Sequence, residues 1–287
     1  MSLERGLDAA RIVPSKGTIA MIALRRALPA VFVPLLLASI ATTGCDIVTA
    51  DLRHEESTEW HKTYQLDQGG RVEIGNVNGK IEVEPSTGST VDVTAVKKAR
   101  GATPEAARAA LDRATINEDV TSGRLKIETK IARSDGIFGG NNLTVEYRVR
   151  VPAGAEVKFT TVNGGVDVSG LEGRITAETT NGGVTARGIK GQLEASTTNG
   201  GLEIDLARVA EGGVKLDCTN GGIKVRLPRD AKATISASIT NGGISSGDLN
   251  IDASGENSRR RLEGRLNGGG PRIQIEGTNG GITLSGR

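Results

Sequence analysis

The residues best placed to do chemistry are carboxylates that recur at fixed positions. Asp167 and Glu203 stand at one offset from their Asn-Gly-Gly triplets, and Glu178, Asp217 and Glu276 share another. Glycoside hydrolysis needs two carboxylates about 5–10 Å apart in a cleft. These acids form no tight cluster along the chain. The whole sequence has one Trp, two Tyr and three Phe, so no aromatic sugar platform accompanies them. They read as solvated charges, and no residue is assigned a catalytic role. His54 and His61 lack neighbouring metal ligands, and the triplets lack the regular Asp of calcium-binding repeats, so no metal site is expected. No dinucleotide, phosphate-loop or Gly-x-Ser-x-Gly signature stands in a suitable context, and no cofactor is expected. Arg259-Arg260-Arg261 reads as part of a solvated loop, and Cys218 as a small buried side chain.

Composition narrows the classes further. Of 287 residues, 40 are Gly, twice the usual share. Two Cys and two His exclude a disulfide scaffold. Six aromatics cannot build a base-stacking surface. Net charge is +2, but residues 1–44 hold five basic and two acidic residues, leaving 31 basic and 32 acidic beyond them. The chain past residue 44 therefore has no phosphate-seeking field, and nucleic acid is not an expected partner.

Residues 1–44 read as an export signal. Arg25-Arg26 precede an apolar run from Ala27 to Ala41, which closes on small residues. Pro29 and Pro34, and the shortness of the run, argue against a membrane span. A start at Met21 would give an ordinary signal length. Thr43-Gly44-Cys45 resembles a bacterial lipoprotein cleavage box, although Thr42 replaces the usual Leu. The resemblance implies a diacylglyceryl thioether on Cys45 and an acylated new N-terminus. Several acyl chains would hold the protein firmly on a membrane.

The element that positions every outward side chain is a repeat. Asn-Gly-Gly occurs at Asn163, Asn181, Asn199, Asn220 and Asn241, at spacings of 18, 18, 21 and 21 residues, and again at Asn267 and Asn279. Three residues after the Asn stand Val166, Val184, Leu202, Ile223, Ile244 and Ile282. Six before it stand Val157, Ile175, Leu193, Val214, Ile235 and Ile273. Intervening positions are mostly polar, so each repeat reads as two short alternating strands around a turn. Asn267 fails this test and belongs to a loop. Asn78 passes it, with Val72, Ile74, Ile81 and Val83 in the core positions, although its triplet is Asn-Gly-Lys. Hairpins would not require one side-chain class at one offset in every repeat, whereas a parallel stack does. The chain is therefore expected to be all-β, a parallel β-helix (β-solenoid) of about seven coils of 18–21 residues. Asn78, Asn163, Asn181, Asn199, Asn220, Asn241 and Asn279 would form a structural turn ladder. Thr180, Thr198, Thr219, Thr240 and Thr278 would form a second.

Four regions follow: a signal at 1–44, a tether at 45–62, a strand-rich capping region at 63–156 and the solenoid at 157–287. The capping region should hold one small helix from Thr103 to about Arg113, with Thr103 as its cap and Pro104 in its first turn. Ser254–Arg265 reads as a charged excursion.

TTNGGV at 179–184, TTNGGL at 197–202, TNGGI at 219–223, 240–244 and 278–282, and VNGKI at 77–81 resemble the bacterial DUF4097 family of adhesin-like head domains. The resemblance spans roughly residues 63–287. It implies a right-handed β-helix-like scaffold on exported or membrane-linked proteins, and it carries no catalytic residues. The expected function is that of a non-enzymatic cell-envelope lipoprotein facing the periplasm or the cell surface. It would be membrane-bound through Cys45 and would present a rigid adhesin-like surface to envelope protein or polysaccharide. The alternative is a polysaccharide-acting β-helix enzyme.

Overall fold

A computed structural model describes residues 53–132, 142–254 and 257–287. The first part of the chain gives β1 (His54–Gln65), β2 (Arg71–Gly75), β3 (Ile81–Ser86), β4 (Thr90–Gly101), α1 (Pro104–Leu111), β5 (Ala114–Thr121), β6 (Arg124–Ile131) and β7 (Leu143–Pro152). The repeats give β8 (Glu156–Asn163), β9 (Val166–Ser169), β10 (Ile175–Asn181), β11 (Val184–Ile189), β12 (Leu193–Asn199), β13 (Leu202–Leu206), β14 (Val214–Asn220) and β15 (Ile223–Leu227). The chain ends with β16 (Ala233–Ser245), β17 (Ile251–Ala253), β18 (Arg261–Leu266) and β19 (Arg272–Gly286).

The repeats stack in parallel, like on like. Before the turn, Val157 pairs with Ile175, Ile175 with Leu193, Leu193 with Val214, and Val214 with Ile273. After it, Val166 pairs with Val184, Val184 with Leu202, Leu202 with Ile223, and Ile223 with Ile282. All of these side chains are buried. Alternation along each strand sends one set of side chains into a shared interior, and burying aliphatics there is the main driving force. The fold is all-β and β-solenoid-like. Ile244 departs from the expected pattern: it is only half-buried, because its strand is the outermost of the parallel stack. The interior also admits rings, since Tyr147 and Phe159 are fully buried near the N-terminal end.

The stacking order is not the order of the sequence. β19 pairs with β14 and β15 on one side and with β16 on the other. The Asn279 coil thus lies between those of Asn220 and Asn241. One contact shows how the slot is fitted. Ile239 of β16 opposes Gly277 of β19, where a Cβ would come within 3.2 Å of the Ile239 side chain.

Antiparallel strands close both ends. At the N-terminal end β5 pairs with β6, β4 with β7, and β1 with β4. Helix α1 lies against β4 and β1 and buries Ala107, Ala110 and Leu111. Its N-cap is the expected one: Thr103 Oγ1 accepts from the Ala106 amide at 3.2 Å. At the far end β18 pairs with β16, and β17 with β18. Part of the expected charged excursion is therefore a capping strand.

Two expected boundaries move. Residues 54–62, placed in the tether, form most of β1. This strand is polar because it is an edge, and charge on an edge discourages pairing with other chains. The division at 156/157 is no structural break, since β2 pairs with β8 and β3 with β9 in the same register as the later coils. The described residues form one compact unit.

Candidate functional site

The turns produce a continuous side-chain ladder. Asn163 donates its Nδ2 to Asn78 Oδ1 at 2.7 Å, Asn181 to Asn163 at 2.9 Å, Asn199 to Asn181 at 2.9 Å and Asn220 to Asn199 at 3.0 Å. Asn279 then donates to Asn220 at 2.8 Å, and Asn241 to Asn279 at 2.9 Å. All seven expected asparagines are joined, and every amide points the same way. Asn267 stands apart, with φ +50° and its amide on the carbonyls of Arg229 and Ala231.

The two glycines of each triplet have different roles. A Cβ on the first would lie 2.0 Å from a neighbouring carbonyl oxygen at Gly182 and Gly200, and 1.7 Å at Gly221. Coils approach so closely there that only hydrogen fits. A Cβ on the second would sit 3.3 Å from its nearest neighbour at Gly201 and 3.7 Å at Gly222. That tolerance explains why Asn-Gly-Lys serves in the Asn78 coil: Lys80 occupies the looser position.

The expected threonine ladder lies one residue earlier than predicted. Thr180, Thr198 and Thr240 are exposed, and no side-chain hydrogen bond links them. Alternation points the preceding residue inward instead. Thr161 Oγ1 donates to the Gly79 carbonyl at 3.3 Å, Thr179 to Gly164 at 2.8 Å and Thr197 to Gly182 at 2.7 Å. Cys218 takes the same slot, its Sγ donating to the Gly200 carbonyl at 3.3 Å. Burial, and then Asp217, push the Cys218 thiol up, which disfavours a nucleophilic thiolate.

The recurring acids fall on two sets of stacked strands, one before and one after the turn. Asp167 (β9) pairs with Lys80 at 2.6 Å, and Glu203 (β13) with Arg226 at 3.6 Å. Thr185 stands between them in register, which separates the two acids by two strand spacings. Glu178 (β10) pairs with Lys158 at 3.0 Å, while Asp217 and Glu276 are cross-strand neighbours. Arg259 and Arg260 use their carbonyls to accept from Ile244 and Ile239, which seals the edge of β16. Cys45 lies outside the described residues. Among the described residues no group of three or more metal-ligating side chains comes together, and no helix is long and apolar enough to cross a membrane.

A groove that the sequence did not reveal lies on the outer face of β1, β4, β7 and β3. Its volume is about 590 Å³, and its lining includes His61, Glu82, Glu84, Asp92, Arg148 and Arg150. His61 Nδ1 and Thr94 Oγ1 share a hydrogen bond of 2.9 Å, and Thr63 donates to Asp92 at 2.7 Å. Lys80 holds Glu82 at 2.7 Å and keeps its carboxyl below the usual range, aided by the Arg148 charge. A general acid needs the opposite shift. Glu73 and Glu118 also end below the usual range: burial opposes ionisation, but Arg124 in one case and Lys62 with Tyr64 in the other outweigh it. The sequence signal for the groove is the alternation of charged with apolar residues in β3, β4 and β7. The antiparallel pairing that assembles them has no such signal.

A family profile described as Toastrack, DUF4097, matches residues 62–285. The chain belongs to the Toastrack family, DUF4097. A solved structure of a candidate cell adhesion protein from Clostridium sporogenes is similar at 13% identity and a TM-score of 0.50, over 81% of this chain and 100% of that one. This likeness shows the Toastrack fold alone. A candidate adhesin from Bacteroides fragilis matches at 12% identity and a TM-score of 0.31, over 80% of this chain and 97% of its own. A candidate lipid binding protein from Parabacteroides distasonis matches at 9% identity and 0.22, over 83% and 98%. No curated protein matches this Toastrack chain.

Proposed function

We propose that this protein is a non-enzymatic lipoprotein of the bacterial cell envelope whose solenoid presents a rigid, adhesin-like surface for protein or glycan contacts. The observation that carries this reading is the unbroken asparagine ladder, which joins seven successive layers of the parallel stack. A surface fixed by side-chain and backbone hydrogen bonds in every coil loses little conformational freedom on binding. Each described carboxylate with a shifted pKa is held ionised, which suits contact more than acid catalysis. The adhesion role named for the clostridial relative is carried over as part of the proposal. The reading includes a right-handed coil of about seven turns, the hand that parallel crossovers overwhelmingly take. It also includes export on the leader and acylation at Cys45.

The test presents the immobilised chain to an envelope extract and a glycan array in parallel. Saturable capture that weakens when outward charges are reversed supports the proposal. Failure to capture from either source, or cleavage of an array polysaccharide, overturns it. Labelling with an alkyne fatty acid tests the anchor: wild type should take label and Cys45→Ala should not.

A further inference from the structure

The outer face around the groove is a grid of ion pairs, and most of them are closed. Lys80 meets Glu82 at 2.7 Å and Asp167 at 2.6 Å. Lys98 meets Glu146 at 2.8 Å, and Arg100 meets Glu55 at 2.8 Å. Two cations in the groove are held differently. Arg148 reaches Glu82, already occupied by Lys80, only at 3.5 Å, and Arg150 reaches Glu84 at 3.9 Å. Their side chains are 70% and 68% exposed. Both point outward from one strand, about 7 Å apart at ~3.4 Å per residue.

The flanks of these arginines are acidic on both sides. Register places Asp92 of β4 opposite Arg150, and Glu84 of β3 opposite it on the other edge. Glu84 is 65% exposed, with no closer cation than Arg150. An incoming anion would draw Arg150 away and leave Glu84 and Asp92 facing it. An incoming cation would meet the two guanidiniums. A ligand carrying both charges would satisfy both rows at once, and leaving no charge unpartnered is what such a site requires. Adjacent strands are ~4.8 Å apart, so the two ligand charges should be separated by about that distance, as at the ends of a dipeptide.

We propose that the groove between β1, β4, β7 and β3 binds a zwitterionic peptide group, with its carboxylate on Arg148 and Arg150 and its ammonium on Glu84, one strand away. This gives a chemical class to a partner of the contact surface and rests on that reading.

The test titrates glycylglycine, its N-acetyl form and its C-terminal amide into the isotope-labelled full chain, followed by backbone amide shifts. Glycylglycine should give saturable shifts at Thr94, Arg148 and Arg150, and bind about tenfold more tightly than either capped form, the cost of roughly one charged hydrogen bond. Arg150→Gln should abolish the advantage over the amide, and Glu84→Gln the advantage over the N-acetyl form. Arg100→Gln, on the same sheet outside the groove, should change nothing. Equal affinity for all three peptides, a preference for either capped form, shifts elsewhere, or no saturable binding would each overturn the proposal. The capture assay on Arg150→Gln and Glu84→Gln separates the two readings. Undiminished capture alongside failed titrations leaves the contact surface standing without this ligand. Absent capture by wild type removes the contact reading, while peptide selectivity is judged on the titration alone.

Discussion

Asn279 donates its side-chain amide to Asn220 across 2.8 Å, although 59 residues separate them in the chain. Asn241, the next triplet after Asn220 in the sequence, lies beyond Asn279 instead. The final coil therefore completes the stack by filling a slot that the chain had left open. β16 first extends the solenoid and receives its cap from β18. Only then does β19 join it to β14.

That order makes the last strand a keystone. Truncation before Arg272 should remove the strand that both β14 and β16 pair with, and expose Val214, Leu216, Ile235 and Ala237, all buried in the intact chain. Loss of cooperative unfolding in urea is the expected outcome. A truncated chain that keeps the wild-type midpoint would show that Asn220 and Asn241 can stack directly, as their sequence order suggests.

Within the ladder, Asn220→Ala should be more costly than Asn241→Ala, whose amide donates to Asn279 at the end of the row. Asn220 both donates to Asn199 and accepts from Asn279, at two successive coil interfaces. Each exposed bond contributes roughly 0.5–1.5 kcal/mol, so the interior variant should lose about 1–3 kcal/mol in denaturant midpoint analysis. Equal costs at the two positions would mean that the ladder decorates the stack without stabilising it.

The glycine pair gives a sharper contrast. Gly200→Ala puts a methyl 2.0 Å from the Gly182 carbonyl oxygen and should destabilise by about 3 kcal/mol or more. Gly201→Ala meets its nearest atom at 3.3 Å and should cost about 1 kcal/mol. Thermal unfolding of the two variants side by side is the measurement. Similar midpoints would place the need for glycine in backbone conformation and not in the close approach of coils.

The stack was legible because Val166, Val184, Leu202 and Ile223 repeat one environment at one offset, and burial of one side of a strand leaves a period-two signature. β1 and β5 left none. Each is an edge strand, exposed along most of its length, so its residues obey solvent and not a core. The position of Asn279 was equally invisible, since every coil interface uses the same side chains and the spacing fits either order. The groove depends on pairings that leave no such signature. Arg148 and Arg150 become neighbours of Asp92 only through the antiparallel pairing of β4 with β7, and His61 joins them only because β1 is a strand.

Cys218 occupies a slot built for threonine, and its thiol reaches the Gly200 carbonyl at 3.3 Å where Thr197 reaches Gly182 at 2.7 Å. Cys218→Thr should therefore be neutral or stabilise by up to about 1 kcal/mol. In a Cys45→Ala background, the native thiol should resist a thiol reagent until the chain unfolds, because burial disfavours its thiolate. Rapid modification of folded protein at neutral pH would overturn this placement.

Acid should weaken the fold through Glu82. Its folded pKa is lowered, chiefly by the hydrogen bond from Lys80. A lowered folded pKa means that the unfolded chain binds the proton more readily. The contribution is thus complete well above the unfolded value of ~4.3 and fades as pH falls through the folded one. Lys80 shifts upward through its bonds to Asp167 and Glu82, so the same contact also weakens as pH rises past the ordinary lysine range. Because Glu82 is 41% exposed, solvent keeps the effect near 1 kcal/mol or below. Glu82→Gln should accordingly be less stable than wild type in urea at pH 7, and the gap should narrow at about pH 3, below the ordinary carboxylate range. A stability gap that stays constant between the two pH values would assign the loss to packing and remove the ion pair from the account.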